Sequence, residues 1–376
     1  MKILVHPQTF NLQKYGGISR YYTEILSRLS ISNSVQIPIY GTSNIYYNES
    51  TLLTTKQKLY SFYVRLLEVL SIRKLEKTRK RNDSLLRHQL FKKDFDVFIP
   101  TYYDVEFLKY LGSKPFVLTV YDMIYELFPD FFTEQKEVVS TIVKNKQILI
   151  EKASRIIAVS ENTKRDILKV YPNINETKID VVYHGCSIKI SESKTVFLPD
   201  KYILYVGTRN NYKNFYFMLD AIKDLLYSNK DLKLLCAGGG KFTEEERNYI
   251  KNMQLEPQIM QQDFKEKELG LFYKKAICFV FPSLYEGFGI PVLEAMSCGC
   301  PVVLSSHSSF PEVAGEAGVY FEMNDADDLK KKVQSLIQNK LLRDEFSLRG
   351  LEQVKKFSWE KAAAECLDVY RKAYDQ

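Results

Sequence analysis

Short apolar runs alternate with longer stretches of helical period along the whole chain. In the first half the runs are Lys2–His6, Val35–Tyr40, Asp96–Pro100, Phe116–Asp122, Arg155–Ser160 and Ile179–His184. A second series comes at Tyr202–Gly207, Leu232–Gly238, Ile277–Ser283, Pro301–Ser306 and Val319–Phe321. Most of these are apolar almost throughout, as parallel strands covered on both faces require. Strands alternating with helices predict parallel sheets joined by right-handed crossovers. Two such series predict an α/β chain of two doubly wound lobes. The polar stretch Ser187–Asp200, closing on Pro199-Asp200 before a fresh strand, is the expected boundary. Ligands of these sheets bind beyond the carboxyl ends of the strands. The expected site is therefore a cleft across which the two lobes face one another.

Length and composition agree with this division. The 376 residues are 45% hydrophobic and 13% aromatic, enough to fill two cores. Met1-Lys-Ile-Leu-Val-His-Pro7 enters a strand directly and lacks the long apolar centre and cleavage site of a signal peptide. No apolar run approaches the ~18–20 residues that cross a bilayer. Six scattered cysteines predict reduced, buried thiols in a cytoplasmic protein. Cys298-Gly-Cys300 lacks a second pair or a neighbouring His to complete a metal site, so core packing is expected of it.

Charge is concentrated in one place. Residues 56–93 hold twelve Lys and Arg against Glu68, Glu76 and Asp83, a local excess of nine. The whole chain carries only +7, so everything else sums to −2. Within this segment Leu59, Phe62, Tyr63, Leu66 and Leu70 form one apolar helical stripe, and the cationic run Arg73–Arg81 comes next. Two readings stand side by side. One is a helix lying on an anionic membrane surface; the other is a helix packed on the first sheet with a solvated basic tail. No nucleic-acid recognition motif accompanies the charge, and nucleic acid is not an expected partner.

Three loops carry candidate chemistry. Gly16-Gly17 precedes a helix, where backbone N–H groups can approach a phosphate; a plain turn is the alternative. Val206-Gly-Thr-Arg-Asn-Asn-Tyr-Lys-Asn-Phe215 leaves a strand end with two cations, Arg209 and Lys213, placed to take a diphosphate. Glu286-Gly-Phe-Gly-Ile-Pro-Val-Leu-Glu294 lies beyond another strand end. There Pro291 suits a first helical turn, Glu286 is expected in the loop, and Glu294 is expected in the helix's opening turn. Carboxylates accept sugar or ribose hydroxyls, and a helix start can serve an anion.

Glu286 through Glu294 resembles the Glu-seven-residues-Glu motif of family 4 retaining glycosyltransferases with the two-lobed GT-B fold. The likeness covers almost the whole chain. Gly16-Gly17 resembles the family's first-lobe glycine loop, and Arg209 and Lys213 resemble its pyrophosphate-binding pair. Ala158–Thr163, Val182–Gly185 and Pro311–Gly315 resemble further landmarks, and Phe357-Ser-Trp359 resembles the opening of its last helix. The resemblance implies an acceptor-binding Rossmann-like domain over 1–190 and a nucleotide-sugar domain over 191–356. It also implies a helix over 357–376 crossing back to the first domain.

The same resemblance implies roles. Glu294 would hold the ribose, Glu286 would face the donor sugar and the reacting centre, and Arg209 and Lys213 would stabilise the departing pyrophosphate. Backbone groups of Gly287, Phe288, Gly289, Ile290, Pro291 and Val292 would meet the sugar and phosphate, and the base would lie against Gln262–Phe264. No metal or other cofactor is implied. Asp94-Phe-Asp96 and Asp325-Ala-Asp327 match an Asp-x-Asp metal motif only on paper. Where the family commonly has Val-His-Asp, this chain has Val120-Tyr121-Asp122, and a second frequent His is Tyr125. Tyr121 keeps a hydroxyl beside Asp122 but titrates near 10. Front-face attack, in which the departing phosphate takes the acceptor's proton, tolerates that change. The expectation is a retaining, metal-independent hexosyltransferase acting on a glycan acceptor, lipid-linked as in surface-polysaccharide assembly. It would be cytoplasmic or peripheral at the inner membrane face. A non-catalytic nucleotide-sugar-binding homologue and a sugar-nucleotide epimerase are the alternatives.

Overall fold

The computed structural model describes residues 1–68, 72–191, 196–209 and 211–376, with side chains at 55–56, 65–68 and 72–75 left aside. The side chains of Lys56, Arg65, Leu66, Leu70, Arg73 and Lys74 therefore lie outside the described residues. So do residues 192–195 of the expected boundary and Asn210 of the cationic loop. The chain divides into two compact units, Met1–His184 with Trp359–Gln376, and Gly185–Ser358.

In the first unit six parallel strands form, β1 (Lys2–Val5), β2 (Ser34–Gln36), β3 (Val97–Ile99), β4 (Val117–Val120), β5 (Arg155–Ala158) and β6 (Ile179–Val181). They pair in the orders β2-β1-β3 and β4-β5-β6, and a parallel bridge between Phe98 and Phe116 joins the two sets. Residues alternate between the two faces of a strand, so β1 sends Ile3 and Val5 to one core and Leu4 to the other. Both faces of the sheet's centre are thus covered, and β3 and β4 there are buried at every residue. The last helix, Trp359–Tyr374, completes one of these cores by lying on helix Gly17–Leu29. Trp359, Ala363, Cys366 and Tyr370 supply its buried face, and Arg28 pairs with Glu360 at 2.8 Å.

The second unit is a six-stranded parallel sheet in the order β12-β11-β10-β7-β8-β9. Its strands are β7 (Tyr202–Val206), β8 (Lys233–Ala237), β9 (Ile259–Gln262), β10 (Cys278–Phe281), β11 (Val302–Ser305) and β12 (Gly318–Phe321). β9 adds a strand to the five expected. It is an edge strand reading Ile-Met-Gln-Gln, only its first residue fully buried, so it lacks the apolar run that marks its neighbours. The chain reverses at β7, with β8 on one side and β10 on the other.

The two acidic decoys have structural roles. Asp94 and Asp96 bind the ammonium and the backbone N–H of Lys2, and Asp325 caps helix Ala326–Gln338 through the N–H of Asp328 at 2.9 Å. Five of the cysteines are buried, and burial pushes the Cys298 thiol up to about 12.

The apolar stripe of the basic segment does not pack on the sheet where it is described. Leu59, Phe62 and Tyr63 are 71, 64 and 54% exposed, and helix Thr55–Glu68 buries Ser61 and Val64 instead. The stripe's described side chains, Leu59, Phe62 and Tyr63, therefore face outward.

His184 closes the first unit against the rings of Tyr21 and Trp359, at centroid distances of 4.9 and 5.9 Å. Burial lowers its pKa to about 3. The unfolded chain takes up this proton near 6.5 and the native chain does not, so stability is complete above about pH 6.5 and falls as pH drops toward 3. The expected slope is about 1.4 kcal/mol per pH unit from this group. Urea titrations across that window should show a slope smaller by one proton in His184→Asn than in the parent.

Candidate active site

The second unit's loops at the carboxyl edge of its sheet meet closely. β7 ends at Gly207, with φ of 105°, and β8 ends in three successive left-handed glycines, Gly238, Gly239 and Gly240. A Cβ on Gly239 would stand 2.2 Å from the Gly207 carbonyl oxygen, so only glycine allows this approach. The ring of Phe264, beyond β9, lies against Gly238, where a Cβ would come within 3.0 Å of it.

Arg209 holds these loops together. Its guanidinium is buried, with Nε 2.8 Å from Glu246 Oε1 and Nη2 donating to the carbonyls of Gly240 and Lys241 at 3.0 and 3.2 Å. Glu246 spends its other oxygen on the Thr243 N–H at 2.7 Å, closing a capping box at the start of helix Glu244–Asn252. The two cations expected to act as a pair are thus committed to different carboxylates. Arg209 faces inward to Glu246 and the glycine loop; Lys213 faces Glu286. The inward position brings the guanidinium to the glycine-loop carbonyls, which accept from it.

Lys213 Nζ and Glu286 Oε1 form an ion pair, with the two side chains only 15 and 16% exposed. The ammonium also lies over the rings of Tyr212 and Phe281, at 4.9 and 5.1 Å. Burial works against its charge, but the Glu286 carboxylate and Tyr212 outweigh this and hold its pKa above the ordinary value. The Glu286 backbone is clamped as well. Its N–H donates to Ser308 Oγ at 3.0 Å, and its carbonyl accepts from Ser308 and Ser309. Ser309 also donates to the Phe288 carbonyl at 2.9 Å. Glu286, Gly287 and Phe288 are therefore fixed by the loop after β11.

Gly289, with φ of 92°, caps helix Ile290–Ser297, and Pro291 occupies its opening turn. Val292 N–H closes onto the Gly289 carbonyl at 2.9 Å. Glu294 falls one turn deeper than expected, in the second turn, so capping the dipole is not its task. Its carboxylate is buried and accepts from the Tyr273 hydroxyl at 3.3 Å.

In the first unit Gly16 caps helix Gly17–Leu29. A Cβ there would lie 2.6 Å from Gln13 Oε1, which accepts the Ser19 N–H at 3.1 Å, while the Cβ position of Gly17 is open. Tyr121 donates to the Thr101 carbonyl at 3.3 Å and sets its ring edge-on to Tyr21 and Tyr22. Burial raises its pKa well above the usual tyrosine value, so its hydroxyl stays protonated and acts as a packing and positioning group here. Asp122 Oδ1 accepts the Ile124 N–H at 3.1 Å, and its carbonyl accepts from Lys146. Lys146 is itself buried in a 3.0 Å pair with Glu126.

Glu246, Ser308, Ser309, Tyr273 and Gln13 were absent from the expected set. Only Glu246 left a readable trace, the Thr243-to-Glu246 capping spacing straight after three glycines.

Comparison with known proteins fits this geometry. Residues 15–189 match the family model described as Glycosyltransferase Family 4, and residues 187–353 match the one described as Glycosyl transferases group 1. The Anabaena protein Alr3699/HepE, solved with UDP-glucose, superposes with a TM-score of 0.69 over 98% of this chain and 99% of that one, at 15% identity. The O-antigen chain mannosyltransferase B of Escherichia coli is 27% identical over 369 residues, 94% of this chain and 96% of that protein. An N-acetylgalactosaminyltransferase of Campylobacter jejuni, named for a diphospho-undecaprenol-linked acceptor, is 26% identical over 226 residues, covering 58% of this chain and 60% of that one. The two Rossmann-like units are those of the GT-B glycosyltransferase fold. The chain belongs to the group 1 glycosyltransferases and is an enzyme of that class.

Removing one partner of a buried ion pair leaves the other charge uncompensated, at a cost of about 3–5 kcal/mol. Arg209→Ala and Glu246→Ala should each destabilise the second unit by about that much, as read by urea unfolding. The double variant should lose less than the two single losses combined.

Proposed function

We propose that the protein is a retaining, metal-independent hexosyltransferase that uses a nucleotide-diphosphate sugar to extend a surface glycan. The observation that carries this is the Lys213–Glu286 pair, held at the carboxyl edge of a parallel sheet beside a helix start. A diphosphate arriving there finds a charged ammonium and a helix N-terminus, both suited to charge that grows as the sugar leaves. Glu286 then accepts hydroxyls of the donor sugar, Glu294 with Tyr273 takes the ribose, and Phe264 borders the base. The bond from sugar C1 to the phosphate oxygen breaks, the bond from C1 to the acceptor oxygen forms, and the acceptor's proton passes to the departing phosphate. The first unit, with Gly16, Gly17, Tyr121 and Asp122, is proposed to serve the acceptor.

Mannose is the donor sugar that the Escherichia coli relative's name supports, and a lipid-linked acceptor is supported by the Campylobacter relative's name. A panel of GDP, UDP, dTDP and ADP should show one base raising the melting temperature most, since ligand bound to the native state stabilises it. Lys213→Ala should lower kcat by about 100-fold or more, the scale of removing one oxyanion-stabilising group, measured well below a melting temperature that the loss of Glu286's buried partner also lowers. Undiminished turnover would reject the role given to Lys213.

A lipid-linked acceptor fits the outward side chains of Leu59, Phe62 and Tyr63 and the exposed cations Lys77, Lys80 and Arg81 of the helix that follows. Among the described residues no helix is long and apolar enough to cross a membrane. We place the enzyme at the inner membrane face through this surface. It should co-sediment with vesicles containing phosphatidylglycerol more than with phosphatidylcholine alone, and less as salt rises. Leu59→Ser with Phe62→Ser should weaken that binding by about tenfold or more.

A further inference from the structure

The first unit holds a cavity of about 300 Å³ that none of the donor chemistry uses. It opens where β1 and β3 end, the edge at which sheets of this type bind ligands. One face of helix Ile72–Lys92 forms its far wall, with Arg79, Asp83 and Arg87 on successive turns. Asn82, fully buried on the same helix, fixes that wall by donating to Asn11 Oδ1 and the Gly41 carbonyl and by accepting the Tyr40 N–H.

The near wall is a preset polar pair. His6 Nδ1 lies 3.0 Å from the Gln8 N–H, and its Nε2 lies 3.1 Å from Asp104 Oδ2. Across from it, Arg79, Asp83 and Arg87 make no hydrogen bond or ion pair with any described residue. Burial raises the Asp83 pKa, while His6 and the two arginines act against that rise. Apolar side chains of Leu86, Leu90 and Phe107 lie between these polar groups.

The signs of these charges decide the ligand class. An anion would meet the two guanidinium groups but also the carboxylates of Asp83, Asp104 and Glu106. A group that both donates and accepts satisfies all of them at once, and a sugar ring offers such hydroxyls around an apolar C–H face. The volume lies at the small end of ligand pockets, room for roughly one or two rings.

We propose that this cavity binds a sugar unit of the acceptor glycan, with the Asp83 carboxylate and the Arg87 guanidinium holding its hydroxyls. The assignment rests on the glycan-acceptor reading above. It predicts that acceptor recognition lies partly in helix Ile72–Lys92, apart from the donor residues.

Saturation-transfer NMR with methyl α-mannoside and methyl N-acetyl-α-galactosaminide tests this, run with a saturating nucleoside diphosphate. Wild-type protein should saturate the ring protons of at least one glycoside. Asp83→Asn and Arg87→Gln should each weaken that binding by about tenfold, as expected for losing a charged hydrogen bond. The nucleotide-induced melting shift and circular dichroism of both variants should match the parent, and either variant decides the question if the other misfolds. Absence of signal from both glycosides would overturn the proposal, as would equal signal in the variants or displacement of the glycoside by inorganic pyrophosphate. Failure of the donor reading would appear separately, as a missing nucleotide shift in the wild type.

Discussion

A charged pair that is mostly shielded from water is stable only if each member keeps the other charged and its surroundings supply further hydrogen bonds. Lys213 and Glu286 meet that condition at the carboxyl edge of the second sheet. Lys213 arrives from the loop after β7, and Glu286 from the loop after β10, the strand beside it. Nearly everything around them serves to keep those loops in place. Ser308 and Ser309 fasten the Glu286 backbone, and Leu284 N–H donates to the Tyr212 carbonyl at 2.8 Å, tying the two loops directly. Arg209 and Glu246 then brace the β7 loop against the three glycines after β8. A parallel sheet makes this possible because all its strands end on the same edge, so four loops distant in sequence converge there.

The glycines show the cost of that convergence. Gly239 comes so close to the Gly207 carbonyl that it could carry no side chain, and the turn leaves backbone carbonyls that take donors. Arg209 supplies them. Its charge, which would suit a phosphate, is here balanced by Glu246 and spent on shape. The ammonium of Lys213 is the cation of this loop proposed above for the chemistry.

Much of this was legible in the chain. The apolar runs marked eleven of the twelve strands, most clearly the central ones buried on both faces, and β9 escaped because its Ile-Met-Gln-Gln at the sheet edge offers no apolar run. Pro291 announced the helix start correctly, since its ring constrains the backbone locally. The role of Arg209 was not legible: Glu246 lies 37 residues away, and no local pattern says which carboxylate a cation will choose. Leu59, Phe62 and Tyr63 show the limit of periodicity in another way. Spacing identifies a face but not what covers it, and here solvent lies against the apolar side while Ser61 and Val64 turn inward. Tyr121 was read against a family histidine, yet its hydroxyl satisfies a backbone carbonyl, a contact that depends on the loop after β3.

If the Lys213 ammonium is the chemical cation of this site, it must exchange its carboxylate for the donor's diphosphate. A crystal structure with an intact nucleotide-diphosphate hexose tests that exchange most directly. Lys213 Nζ is expected within hydrogen-bond distance of a β-phosphate oxygen, about 2.7–2.9 Å, with Glu286 turned to sugar hydroxyls. A bound donor whose diphosphate leaves the Lys213–Glu286 pair intact and contacts other residues would contradict it.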